Sequence, residues 1–298
     1  NDIDIVHKLP SWIYFLPLKV VSLNTSEASC GAGMPCVLMS EAMLLEFGAG
    51  NQWPDDAQLF QPLELEQILL PDNANSLVVQ TYLNMCGLPF SLEMRANAES
   101  MSPSGQIPFL KCGRFVLSDI DNIISFINTK GISLTEKLDQ ETKADIRTYM
   151  SLVDNVLGCA EQYVCWFDDV TFNAVTKLRY SSVYPWPLNK VLTYRKRKEV
   201  IRKLAAVDWT QKSIDKVYSE VDYCCSILSE ALDNKTFFYG EVPTEVDAMI
   251  FGHIFTILTT TLPNSQLADI VKKYKNLVSH CIFIEKAYFS KTDSESCF

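Results

Sequence analysis

A small α/β domain followed by an all-helical domain is the architecture this sequence predicts. Three observations carry the expectation. Residues 63–132 alternate short apolar runs with turn clusters in the order strand, helix, strand, hairpin, helix. From Leu134 onward, apolar residues recur at three- and four-residue spacing almost without interruption. A chain of 298 residues is also long for a single compact core, which makes two domains the natural expectation.

In chain order, residues 1–38 carry no sustained period, and Gly31 to Pro35 is turn-like. A helix-compatible run opens at Met39, so Met39 reads as a natural start and the preceding segment as an extension, a processed leader or an added piece. Residues 39–62 connect to the α/β domain. There Gln67 to Leu70 reads as the first strand, Pro71 to Asn75 as a turn, and Ser76 to Met85 as a helix stopped by Gly87-Leu88-Pro89. Phe90 to Met94 reads as the second strand. Phe109 to Cys112 and Arg114 to Leu117 form a hairpin turning at Gly113, and Ser118 to Asn128 a helix with Ile120, Ile123, Ile124 and Ile127 inward. Residues 133–290 form the helical domain. Ile146, Met150, Val153, Leu157, Ala160 and Val164 mark one helix, and Ile214, Val217, Val221 and Leu228 another. Thr244 to Leu262 and Gln266 to Tyr288 complete it, before a polar tail at 291–298.

Composition narrows the function classes. With 48% apolar and 21% charged residues the chain is an ordinary globular one, and its net charge of −10 gives no support to a nucleic-acid partner. The ten cysteines are scattered without any C-x-x-C, which fits reduced, partly buried thiols facing the cytosol. Three histidines without ligand spacing make a zinc site improbable. Ala248 to Leu262 is the longest nearly apolar stretch, and its 15 residues suit a buried core helix rather than a membrane span. The tail carries no hydrophobic anchor, so work at a membrane requires a partner to hold the chain there.

Two motifs speak to the fold. Ile107-Pro108 leads directly into a strand, the place where thioredoxin-like domains hold a cis proline whose predecessor turns its backbone toward a substrate. Pro108 reads either as part of a backbone dock for a thiol or peptide, or as a turn the fold requires. Thr244-Glu245-Val246-Asp247 resembles a capping box with Asp in place of Glu or Gln. Thr244 and Asp247 are therefore assigned structural roles, with loss of Asp247 costing about 1 kcal/mol or more, since capping losses run about 0.5–2. His253 on the same helix reads as a core residue.

With the domain order, these motifs resemble the glutathione-transferase fold over roughly residues 63–290: a thioredoxin-like N-terminal domain and an all-α C-terminal domain. Such enzymes activate the thiol with a Tyr, Ser or Cys after the first strand. Here Pro71 to Ser76 offers only Ser76, which reads better as a helix-start residue. The pair that normally meets the γ-glutamyl carboxylate reads Asp119-Ile120, followed by Asp121. Ile120 donates no hydrogen bond, and losing one to a charged group costs about 1.5–3 kcal/mol. The expectation is a shape without catalytic residues, cofactor or metal.

Several segments together resemble one family, the metaxins, on the branch of its second animal paralogue. They are Trp53-Pro54, Glu66 to Leu70, Arg95 to Glu99, Met101 to Gly105, Tyr184 to Asn189, Pro243 to Glu245 and Phe251 to His253. The resemblance covers about residues 39–289. It implies a non-catalytic subunit of the sorting and assembly machinery of the mitochondrial outer membrane, peripheral on the cytosolic face, supporting insertion of β-barrel proteins and protein import. The implied partners are an anchored metaxin-type subunit, a β-barrel insertase and motor adaptors of mitochondrial transport, with membrane contact indirect. A divergent glutathione transferase or glutathione-dependent redox protein stands as the alternative. Candidate partner-binding residues are Tyr184 and Trp186 in a proline-rich loop, and Arg195, Lys196, Arg197 and Lys198. The last four open a run with six bases in nine residues, which suits anionic lipid head groups, an acidic partner or a solvated helix face.

Overall fold

A computed structural model describes residues 53–64 and 66–289. The expected start at Met39, the extension before it and the polar tail lie outside the described residues. Four strands form one sheet in the order β2-β1-β3-β4: β1 Gln58–Gln61, β2 Ser91–Met94, β3 Phe109–Cys112 and β4 Phe115–Ser118. β1 runs parallel to β2 and antiparallel to β3, and β3 antiparallel to β4. The register sets Leu59 opposite Leu92 and Leu110, and Leu110 opposite Leu117. Leu59, Leu110 and Leu117 are buried against Tyr82 and Leu83 of α1 (Leu70–Met85) and Ile123 and Ile127 of α3 (Ile120–Thr129). A single turn, α2 (Ala98–Met101), lies between β2 and β3.

The first strand falls earlier in the chain than expected. Gln67 to Leu70 is not a strand; it leads into α1, and Ile68, Leu69 and Leu70 are buried. Pro71 explains the misreading: it stands at the start of the helix, where its fixed φ suits helical backbone and its missing N–H is no loss. The turn-like run from Pro71 to Asn75 is thus the opening of α1. β4 also extends through Ser118, and α3 begins two residues later than expected.

The helical part begins with α4 (Gln140–Val153) and α5 (Cys159–Gln162), separated by a π turn at Asp154–Gly158 and followed by another at Tyr163–Phe167. α6 (Asp169–Thr171), a π turn at Phe172–Thr176 and α7 (Lys177–Ser181) come next. Ile146, Val153, Leu157, Ala160 and Val164 all enter the core across these turns. α8 (Leu188–Ala206), α9 (Ile214–Leu232), α10 (Glu245–Thr259), α11 (Gln266–Lys272) and α12 (Lys275–Tyr288) follow. The stretch from Gln266 to Tyr288 is helical as expected, in two helices interrupted at Tyr274, whose hydroxyl donates to the Asp222 carbonyl at 2.9 Å.

α10 is the central helix, buried continuously from Glu245 to Ile254. It crosses α1 so closely that a Cβ at Gly252 would meet Val78 Cγ2 at 2.4 Å and the Ala74 carbonyl at 2.8 Å. Its start is a capping box of Thr244 and Asp247. Asp247 does more than cap. Its Oδ2 accepts from the Thr244 backbone N–H at 2.8 Å and the Thr244 hydroxyl at 2.7 Å. Its Oδ1 accepts from the Phe238 N–H at 3.0 Å and lies 3.0 Å from His280 Nε2 of α12. His253 is also a core residue, its Nδ1 2.9 Å from Glu161 Oε1 of α5. Burial disfavours the imidazolium, and the Glu161 carboxylate more than offsets this, so the His253 pKa lies above its ordinary value.

Candidate functional site

A cleft of about 1000 Å³ runs between α1, the loop before β3 and α3 on one side and α4 and α8 on the other. Ile107 and Pro108 line it, and the bond between them is cis. The backbone of a residue before such a proline needs no particular side chain, so this feature persists whatever the ligand.

The positions that would activate a thiol differ from that pattern. β1 is followed by Pro62 to Leu69, which contains no Tyr, Ser, Thr or Cys. Ser76 is not a helix-start residue. It sits in the second turn of α1, fully buried, and donates to the Gln61 side-chain oxygen. It is absent from the residues lining the cleft. The described thiols are held protonated by burial: Cys86 and Cys159 are pushed up to about 11, and Cys112 and Cys224 to about 12.

Where an anion would meet a helix N-terminus, the cleft carries acids. Ile120 opens α3 and lines the cleft between Asp119 and Asp121. Asp119, at φ +80°, makes no capping bond with its side chain; Asn122 Nδ2 donates to it at 3.4 Å. Burial and the neighbouring Asp121 raise the Asp119 pKa above the usual carboxylate range.

A second polar group, which the sequence did not disclose, lies beside the cleft and shares Asp72 and Lys196 with it. Glu99 of α2 accepts from the Tyr180 hydroxyl at 2.9 Å and from Lys196 Nζ at 2.5 Å. Asp72, in the first turn of α1, lines the same space. Burial pushes its carboxyl up to about 7, with Lys196 opposing and Glu99 adding to the rise. Burial alone would lower the Lys196 pKa, but Glu99 and Asp72 together raise it. The acid directly after Pro71, at the opening of α1, is the sequence signal for this group.

The candidate partner-binding residues separate into two sets. Lys196 is committed to Glu99, and Arg197 to Asp169 at 2.6 Å, to the Trp166 carbonyl at 3.0 Å and to the Phe172 ring at 3.9 Å. Arg195 and Lys198 are exposed. In the loop, Tyr184 is half-buried with its ring 6.1 Å from that of Tyr180, while Trp186 is 75% exposed. Among the described residues, no cluster of three or more His, Cys, Asp or Glu is placed to hold a metal, and no helix is long and apolar enough to cross a membrane.

Residues 76–197 match the family described as outer mitochondrial membrane transport complex protein, and residues 221–284 the glutathione S-transferase C-terminal domain. The chain is 47% identical to human Metaxin-2 over 85% of its own length and 96% of that protein's. It is 37% identical to the Metaxin-2 homolog of Caenorhabditis elegans, covering 76% of this chain and 98% of that one. Mouse Metaxin-1 is 28% identical, with 74% and 72% covered. Among solved structures, a β-etherase from Sphingobium superposes with a TM-score of 0.55 at 15% identity, over 79% of this chain and 99% of that one. A glutathione S-transferase of Ceriporiopsis subvermispora in complex with glutathione gives 0.52 at 14%, over 78% and 97%. At such identities these two establish the fold alone.

Proposed function

The chain belongs to the metaxin family, and from that premise we propose that it is a non-catalytic subunit of the mitochondrial outer-membrane sorting and assembly machinery. In this reading it sits peripherally on the cytosolic face, held by an anchored metaxin-type subunit, and supports a β-barrel insertase and protein import. Motor adaptors of mitochondrial transport are further partners. The similarity of residues 76–197 to an outer-membrane transport complex protein supports the location. The observation that carries the non-catalytic part is the cleft itself. Ile120 stands between two acids at the helix start, Asp72 occupies the opening of α1, and the stretch after β1 offers no hydroxyl or thiol. A glutathione carboxylate approaching the start of α3 meets Asp119 and Asp121 and no side-chain donor at Ile120, while the bases of the cleft, Lys143, Arg147, Lys196 and Lys203, come from α4 and α8.

Purification of the tagged chain from outer membranes tests the reading. Recovery of a second metaxin-type subunit together with a β-barrel protein of the insertase class is the expected outcome. Calorimetry with reduced glutathione tests the alternative. A dissociation constant near or below about 1 mM, equivalent to about 4 kcal/mol of binding, and abolished by substitutions in the 71–76 stretch, favours a divergent transferase.

A further inference from the structure

We propose that the outward face of α8, with Trp186 just ahead of its first turn, is a docking surface for an anionic lipid bilayer. Helical geometry defines the face. Thr193, Val200 and Leu204 are buried on one side of α8. At about 100° per residue, Val191, Arg195, Lys198 and Arg202 lie together on the opposite side, with Tyr194 beside them, and all five are exposed. The stripe extends about 16 Å at 1.5 Å per residue. Lys196 and Arg197 fix its orientation, because both are tied inward to Glu99 and Asp169.

The chemistry of the face points to lipid. Arg195, Lys198 and Arg202 have no ion pair among the described residues, and the one acid in the run, Glu199, is bonded to Lys203 at 2.9 Å. A concentrated positive stripe on a chain of net charge −10 is a local reversal of sign, and it complements an anionic head-group layer. The aromatic end adds a second requirement. Trp186 and Tyr194 are 75% and 68% exposed, and Trp and Tyr favour the boundary where an apolar ring meets polar head groups. A uniformly acidic protein surface satisfies the bases but offers nothing apolar to the two large rings and Val191. A bilayer surface accommodates both ends of a straight stripe without a matching pocket. This inference goes beyond the subunit reading and stands independently of it, since it concerns the chain alone.

Flotation of the full purified chain with lipid vesicles tests it, using phosphatidylcholine alone and phosphatidylcholine mixed with phosphatidylinositol. The chain is expected to bind the mixed vesicles, to release as salt is raised, and to ignore the neutral ones. Combining Arg195→Glu, Lys198→Glu and Arg202→Glu weakens mixed-vesicle binding by about tenfold or more. The matching triple Gln variant, which removes charge without reversing it, gives a smaller loss in the same direction. Trp186→Ala with Tyr194→Ala lowers binding by about threefold with less effect on its salt dependence. Circular dichroism and thermal unfolding identify any variant that fails to fold. Equal binding to both vesicle types, no binding to either, or unimpaired binding by both charge variants overturns the proposal. So does retained vesicle binding when the charge variants instead lose a protein partner in pull-downs from outer membranes; that result assigns the face to the partner and leaves the subunit reading intact.

Discussion

Two of the helix starts that carry aspartates behave in opposite ways. At α10, Asp247 is fully buried and meets donors from three directions: its own N-terminus, the Phe238 backbone and His280 of α12. At α3, Asp119 faces the cleft, accepts one weak bond from Asn122 and stands near a second acid. The positive end of a helix attracts an anion in either place. At α10 the protein supplies that anion itself and uses it to join three segments. At α3 it places fixed acids where an incoming anion would dock. The same local chemistry serves the fold in one region and disfavours an anionic ligand in the other.

Four substitutions break or sharpen this contrast. Asp247→Ala is expected to have the largest effect, about 4 kcal/mol in chemical denaturation. It strands several buried donors at about 1–3 kcal/mol each, well above the loss of a simple cap. A loss under about 1 kcal/mol would reduce Asp247 to an ordinary capping residue. Gly252→Ala, which drives a methyl into Val78 and the α1 backbone, is expected to cost about 3 kcal/mol by the same measurement.

Asp72 tests the cleft through pH. Its folded pKa of about 7 lies above the ordinary 3.8, so its contribution to stability is fully present below about pH 4 and is lost as pH rises through 7. Asp72→Asn is expected to flatten that decline and to be about 1–2 kcal/mol more stable than the parent above pH 7, a figure discounted for the solvent that reaches this half-buried carboxyl. A parallel pH profile for the two proteins refutes this. Ile120→Ser is expected to do least, changing stability by under about 0.5 kcal/mol and conferring no glutathione binding in calorimetry, because Asp119 and Asp121 remain.

Much of this was legible in the sequence, for identifiable reasons. The hairpin around Gly113 and the Thr244–Asp247 box are local signals, written within a few residues, and both stand where they were expected. β1 was not legible: Gln58–Gln61 has only two apolar residues between glutamines, too few to show alternation. The Glu99–Tyr180–Lys196 group was equally hidden, since its bonds join residues 81 and 97 positions apart. The basic run misled in a different way. Composition cannot tell which of four consecutive bases face inward, whereas the helix period and the partners Glu99 and Asp169 separate them.

That separation has a mechanical consequence. Arg195 and Lys196 are neighbours on one helix, the first facing solvent and the second bonded across to α2 beside the cleft. The Lys196–Glu99 bond therefore ties α8 to α2 from a side of the helix that does not face solvent. Any tilt of α8 has to strain or break that bond, so the outward face is carried on a helix tethered to α2.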